Sequence, residues 1–150
     1  MWPTVLTPMD CALLPSQIVL AEDNSADVGL VREALRRHKV HCALRVISDG
    51  QEVLAFIDQL DGDAKLPCPD LLLLDLYLPK RDGREILNHL RASGRCAETP
   101  VVVLTSSDWS AEREIAAEEH AATYFFQKPT SLGQFMQLGA IVKNVIGRRS

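Results

Sequence analysis

Hydrophobic residues in this chain form two alternating patterns, short continuous runs and longer stretches with helical spacing. The continuous runs are the length of buried strands. Such runs lie within residues 17–21, 71–74, 101–104 and 123–127, and residues 43–47 form a fifth, β-rich segment that includes Arg45. Apolar residues spaced by three and four predict a helix after each run. The first predicted helix begins after Asn24, and the others lie near residues 51–60, 84–92, 110–120 and 131–147.

The strict alternation of strand and helix indicates the fold class. Consecutive strands joined through helices are parallel, and the helices cover both faces of the sheet. We therefore predict an α/β fold doubly wound around five parallel strands. Residues 1–16 contain Pro3, Pro8 and Pro15 and suit neither a helix nor a signal peptide. We expect an N-terminal extension at 1–16 and one domain at 17–150.

Composition and charge narrow the classes of partner. A chain of 150 residues with 47% hydrophobic and 24% charged residues has the size and composition of one globular domain. A net charge of −4 disfavours a broad nucleic-acid surface. Asp75 interrupts the longest apolar stretch, so no segment reaches the length of a membrane span. We expect neither a nucleic-acid nor a membrane partner.

The cysteines give little sign of a shared role. Cys11, Cys42, Cys68 and Cys96 fall at unrelated spacings without a C-x-x-C pair. That pattern indicates neither a zinc site nor an obvious disulfide framework. We expect reduced thiols in a cytoplasmic protein.

Polar residues stand at the carboxyl ends of four of the predicted strands. They are Glu22 with Asp23, then Asp75, Thr105 and Lys128. Parallel strands end at the same edge of a sheet, where open α/β folds bind ligands. Three carboxylates suit a hard cation such as Mg²⁺. A hydroxyl and an ammonium suit phosphoryl oxygens, so the edge predicts a site for a metal and a phosphoryl group.

Each of these residues also has an ordinary explanation when it is taken alone. Glu22 and Asp23 would complement a helix dipole, and Thr105 could be a helix cap. Asp75 is more informative because it follows four leucines, and an ionised group beside such a core needs a partner. A carboxylate there could act as a nucleophile that forms an acyl phosphate. The combination is more specific than any member.

Five motifs together resemble the receiver domains of two-component response regulators, the family of the chemotaxis protein CheY. The motifs lie in order between residues 17 and 147 and read AEDN at 21–24, LDLYLP at 74–79, DG at 82–83, VLTS at 103–106 and QKP at 127–129. The opening AEDN…AD at 21–27, together with the DG at 49–50 after the second predicted strand, is most similar to stand-alone receivers that partner with bacterial phytochrome-type histidine kinases.

The resemblance implies a flavodoxin-like or CheY-like strand order, 2-1-3-4-5, and a phosphoacceptor role for Asp75. The donor would be a phosphohistidine of a sensor histidine kinase or a phosphotransfer protein. Mg²⁺ would be bound by Asp23, Asp75 and the backbone carbonyl of Tyr77, with Glu22 acting through a water molecule. Such a protein is a signalling domain that promotes its own phosphorylation and dephosphorylation, rather than an enzyme in the usual sense.

The resemblance also implies a switch. Thr105 and Lys128 would hold the phosphoryl oxygens, and Thr105 and Phe125 would be the switch residues. No DNA-binding domain is expected after Lys128, so the signal would pass to an unknown protein target through surface contacts. In the closing helix, Phe135, Leu138, Ile141 and Ile146 suit either a homodimer or partner surface, or a helix wedged into the core.

Three other classes of protein share some of these features. A haloacid dehalogenase-type hydrolase also uses a nucleophilic aspartate, Mg²⁺, threonine and lysine, but it carries D-x-D where this chain has Tyr77. Neither dinucleotide-binding nor P-loop glycine motifs occur, which disfavours a nucleotide-binding module. A pseudo-receiver that binds without phosphorylation is disfavoured because all five site positions carry competent residues.

Overall fold

Five parallel strands form one sheet in the computed structural model, which describes residues 14–105 and 124–147. The strands are β1 Ser16–Ala21, β2 Cys42–Ile47, β3 Leu71–Asp75, β4 Val101–Thr105 and β5 Tyr124–Gln127. Their order is β2-β1-β3-β4-β5, and every neighbouring pair is parallel. The predicted α/β fold and strand order are therefore confirmed. β1 begins at Ser16, one residue before the predicted start.

Helices lie on both faces of this sheet. They are α1 Ser25–Arg37, α2 Gly50–Gly62, α3 Gly83–Arg91, α4 Leu132–Phe135 and α5 Gln137–Gly147. Within the described residues, none of these helices has the length and apolar character needed to cross a membrane. The helix predicted near residues 110–120 and most of the predicted extension lie outside the described residues.

The closing segment departs from its prediction because it forms two helices instead of one. α4 ends at Phe135, and α5 begins at Gln137. The amide of Gly139 donates to the carbonyl of Met136, three residues back, at 3.1 Å. This tighter turn interrupts the regular four-residue pattern of an α-helix.

The core consists of one apolar layer on each face of the sheet. Alternate residues of each strand point to opposite faces, so β3 sends Leu72 and Leu74 to one layer and Leu71 and Leu73 to the other. Helices α2 and α3 cover the first layer, and α1, α4 and α5 cover the second. Strands β3 and β4 are fully buried, which explains their unbroken apolar sequence.

The sequence left two placements for four apolar residues of the closing helix, an exposed partner surface or the core. In the structure these residues pack in or against the second core layer. Phe135 and Leu138 belong to it, while Ile141 and Ile146 are partly buried against it. Phe135 also meets Phe126 of β5 edge to face, with ring centroids 5.8 Å apart. The structure therefore supports the core placement for these side chains.

The prediction of reduced thiols is wrong for two of the cysteines. Cys68 and Cys96 form a disulfide, with 5.6 Å between their Cα atoms, whereas Cys42 is a free thiol. The connection before β3 and the turn after α3 meet at the amino end of the sheet, which brings together residues 28 positions apart. Cys11 lies outside the described residues.

Candidate functional site

Helix caps fix the backbone at the carboxyl edge of the sheet. The side chain of Asn24 accepts the amides of Ala26 and Asp27 at 2.9 and 3.1 Å, so α1 starts directly after β1. Asp49 and Asp82 cap α2 and α3 in the same way. Each cap satisfies amides that would otherwise have no partner in the first helical turn. The edge is therefore built from well-defined turns.

The strand register brings the predicted polar residues to this one edge. Ala21, the residue before Glu22, pairs with Leu74, the residue before Asp75. Thr105 pairs with Gln127, the residue before Lys128. The amide of Lys128 also donates to the carbonyl of Thr105 at 2.7 Å.

The Lys128 ammonium lies at the centre of the site, with its side chain only 9% exposed. It contacts Glu22 Oε1 at 2.5 Å, Asp27 Oδ2 at 2.8 Å and Asp75 Oδ2 at 3.3 Å. Glu22 and Asp75 are buried as well. A buried lysine with three carboxylate partners is a firmly held positive charge beside the candidate nucleophile.

Asp27 was not among the residues predicted from the sequence. It lies in the first turn of α1, four residues after Asp23, and reaches back over the edge of the sheet to Lys128. Asp23 precedes the cap residue Asn24, so the four-residue spacing of a helix does not relate it to Asp27. An aspartate in a first helical turn is usually explained by the helix dipole, which concealed its contact.

Burial and charge shift the pKa values within this cluster. Burial raises the pKa of Glu22, and the neighbouring Asp75 carboxyl adds to that rise. Burial also acts to raise the pKa of Asp75, but hydrogen bonds with Glu22 and the Tyr77 amide outweigh it and lower that pKa. Burial opposes the charge of Lys128, yet Asp27 and Glu22 outweigh it and raise its pKa. These shifts favour the ionised form of Asp75 over that of Glu22, and they favour the charged form of Lys128.

The carboxylates beside the lysine fit a divalent cation. Glu22, Asp23 and Asp75 can each offer one oxygen, and these oxygens lie within 4.8 Å of one another. Among the described residues, a single ammonium, that of Lys128, contacts Glu22, Asp27 and Asp75, so carboxyl groups outnumber ammonium groups at this edge. Such an excess of carboxylate charge favours a hard cation with oxygen ligands, and the exposure of Asp23 leaves the cluster open to solvent.

A short loop after Asp75 shapes one wall of the site. The Tyr77 amide donates to Asp75 Oδ1 at 2.9 Å, which orients that carboxylate, while the Tyr77 side chain is 53% exposed. The loop is closed by Gly83, whose amide donates to the Leu76 carbonyl at 2.8 Å. Lys80 adopts a left-handed conformation with φ of 72°. The Asp75 carboxylate is therefore oriented by a backbone amide on one oxygen and by the Lys128 ammonium on the other.

The two predicted switch residues lie on adjacent strands. Thr105 ends β4 and is fully buried. Phe125 in β5 pairs with Val103 of β4 and is partly buried against the core layer covered by α2 and α3. Their switch roles remain predictions.

A doubly wound sheet with a carboxylate cluster and a buried lysine at its carboxyl edge defines the CheY-like class of α/β domain. A family model described as "Response regulator receiver domain" matches residues 18–139. The chain belongs to this family.

Within this family, the chain is similar to two individual response regulators. The chain is 42% identical over 93 residues to response regulator Rcp1 of Synechocystis sp., covering 62% of this chain and 63% of Rcp1. The alignment thus spans just under two thirds of that relative's length. The fold is similar to the phosphorylated cyanobacterial phytochrome response regulator RcpA, with a TM-score of 0.77, 31% identity and coverage of 91% and 97%. It is also similar to the Mn²⁺-bound form of Rcp1, with a TM-score of 0.73, 34% identity and coverage of 87% and 93%.

Proposed function

We propose that this chain is a phosphoacceptor response regulator whose Asp75 takes a phosphoryl group from a phosphohistidine. One observation carries the proposal: the Lys128 ammonium lies 3.3 Å from Asp75, beside carboxylates that suit a divalent cation. Two similar proteins support it, because RcpA is described as a phosphorylated phytochrome response regulator and Rcp1 has a Mn²⁺-bound form. A phytochrome-type sensor histidine kinase, or a phosphotransfer protein, is the proposed donor.

The transfer requires little covalent chemistry from the protein. An Asp75 carboxylate oxygen attacks phosphorus and forms an O–P bond, while the N–P bond to the donor histidine breaks. The electron pair of that bond remains on the imidazole nitrogen. The protein contributes position and charge, as in other phosphoryl transfers. Lys128 would stabilise a phosphoryl oxygen, and Thr105 would donate a hydrogen bond to another.

Mg²⁺ is the cation proposed for the carboxylate cluster. Asp23, Asp75 and the backbone carbonyl of Tyr77 would bind it directly, and Glu22 would act through a water molecule. When bound, the cation neutralises charge on the transferred phosphoryl group. The Lys128 ammonium, 3.3 Å from Asp75, would lie beside the phosphoryl group carried by that residue.

Signal output is proposed to follow from a local change in packing. Thr105 would move toward the phosphoryl group, and Phe125 on the adjacent strand would change its packing in response. The signal would pass to a downstream protein, or through a homodimer, in the cytoplasm. A haloacid dehalogenase-type hydrolase is not favoured, because Tyr77 occupies the place of its second aspartate.

A phosphorylation assay with matched variants tests the proposal. The protein is incubated with Mg²⁺ and acetyl phosphate, and the phosphoryl adduct is followed by intact mass. The wild type should gain one phosphoryl group, whereas Asp75→Asn should gain none because the nucleophile is lost. Glu33→Gln, on the exposed side of α1, should behave as the wild type. Equal labelling of Asp75→Asn, or rapid turnover of simple phosphomonoesters, would contradict the proposal.

A further inference from the structure

The Lys128 ammonium has as many carboxylate partners as it has N–H donors. A lysine ammonium carries three donors and no acceptor. Its partners are Glu22, Asp27 and Asp75, and the contacts to Glu22 and Asp27 are shorter than the 3.3 Å contact to Asp75. The amine is therefore held mainly by two residues that are not the proposed nucleophile.

Asp27 differs from the other two partners in its place in the fold. Glu22 and Asp75 belong to strand ends and to the set of carboxylates that could hold a metal ion, whereas Asp27 belongs to α1 and not to that set. Its amide is bound by the Asn24 cap at 3.1 Å, which fixes its backbone. Its side chain is 25% exposed, so it lies at the outer side of the lysine.

We propose that Asp27 is a positioning residue that sets the location of the Lys128 ammonium for phosphoryl transfer to Asp75. Two short contacts hold the amine while its third N–H faces the nucleophile. When a phosphoryl oxygen arrives, that N–H turns to it and the contacts with Asp27 and Glu22 are kept. This role rests on the proposed function.

The physical need for such a tether follows from the chemistry of lysine. Its charge is compact and stands on a flexible four-carbon stem, so one contact does not define its position. Without Asp27, the amine is free to move fully onto the remaining carboxylates and away from the incoming oxygen. Misplacement of about 1 Å can cost roughly 100-fold in rate when reacting groups must be aligned.

Two substitutions at Asp27 separate its geometry from its charge. Asp27→Asn and Asp27→Ala both remove the negative charge, but only Asn keeps an oxygen that can accept from Lys128. The rate constant for phosphorylation by acetyl phosphate is measured at saturating Mg²⁺, and the Mg²⁺ dissociation constant is measured separately. Glu33→Gln is the control, since Glu33 lies on the same helix and pairs with Arg36 and Arg37.

We expect Asp27→Ala to be about tenfold slower than Asp27→Asn, which corresponds to the loss of one charge-assisted contact. The Mg²⁺ dissociation constants of the two variants should agree within about threefold, since both lose the same charge. Equal rates for Asp27→Asn and Asp27→Ala would overturn the positioning role. So would a loss of Mg²⁺ affinity in Asp27→Ala that matches its loss of rate.

Failure of the underlying function has a different signature. If the wild type gains no phosphoryl group from acetyl phosphate, the phosphoacceptor proposal is lost and the role of Asp27 is lost with it. If the wild type is phosphorylated and the two variants do not differ, only the positioning role is refuted. Thermal unfolding of each variant confirms that the compared rates belong to folded protein.

Discussion

Removing the Cys68–Cys96 disulfide should lower stability by an amount that follows from its place in the chain. The bond closes a loop between residues 28 positions apart. In the loop-entropy relation, such a cross-link stabilises the native state by about 3.6 kcal/mol through its constraint on the unfolded chain. The unfolding entropy of a chain this long is roughly 0.32 kcal/mol/K, so the midpoint should fall by about 11 °C.

Scanning calorimetry with and without reductant measures this shift. The wild type should lose about 11 °C on reduction, whereas Cys68→Ser should already be lowered and should not respond to reductant. Cys42→Ala is the matched control, because Cys42 is a free thiol and its removal leaves the response to reductant intact. Phosphorylation should change little, since the disulfide lies at the amino end of the sheet and Asp75 at the opposite end.

Two results would refute this reasoning. A wild-type midpoint that does not respond to reductant would show that the cross-link adds no stability. Alkylation of both Cys68 and Cys96 in unfolded, unreduced protein would show that the bond is not formed. In a reducing compartment the pair would convert to thiols, and the midpoint measured with reductant would apply there.

The remaining predictions concern local stability and use urea unfolding. Gly83→Ala should destabilise by about 1–3 kcal/mol, because its new methyl group would lie 2.7 Å from the Leu76 Cα atom. Gly29→Ala, exposed in α1 with nothing within 4 Å, should instead stabilise by about 0.5–1 kcal/mol; equal effects of the two substitutions would contradict the packing argument. Asn24→Ala should cost about 1 kcal/mol through loss of the α1 cap, and an unchanged urea midpoint would count against that cap.

The fold was predictable because its central strands carry an unusually clear signal. β3 and β4 are buried on both faces, so each is an uninterrupted apolar run that ends at a polar residue. The carboxyl ends of parallel strands meet at one edge, so the meeting of Asp75 with Lys128 followed from topology. Strand ends differed from the predictions by one residue, as at Ser16.

The division of the closing helix could not be predicted from apolar spacing. The side chains of α4 and α5 keep a helical rhythm across the break, whereas the Gly139 amide donates to the Met136 carbonyl, three residues back. A side-chain pattern does not report which carbonyl a backbone amide contacts. A Cβ at Gly139 would also collide with the Ala34 carbonyl oxygen of α1 and with the His38 ring just after that helix, so close helix packing contributes to the choice of glycine there.

Two contacts that were not predicted, one ion pair and one disulfide, both join residues far apart in the sequence. Asp27 and Lys128 are 101 positions apart, and Cys68 and Cys96 are 28 positions apart. Neither pair has a spacing that local structure would generate. Such contacts depend on how connections of different length converge in space, which a single sequence does not specify.

The backbone bond between Lys128 and Thr105 couples the ends of two strands mechanically. Because the amide of one residue is fastened to the carbonyl of the other at 2.7 Å, neither can shift far without displacing its neighbour. A displacement of Thr105 would therefore be transmitted to Lys128, which follows β5 at one edge of the sheet.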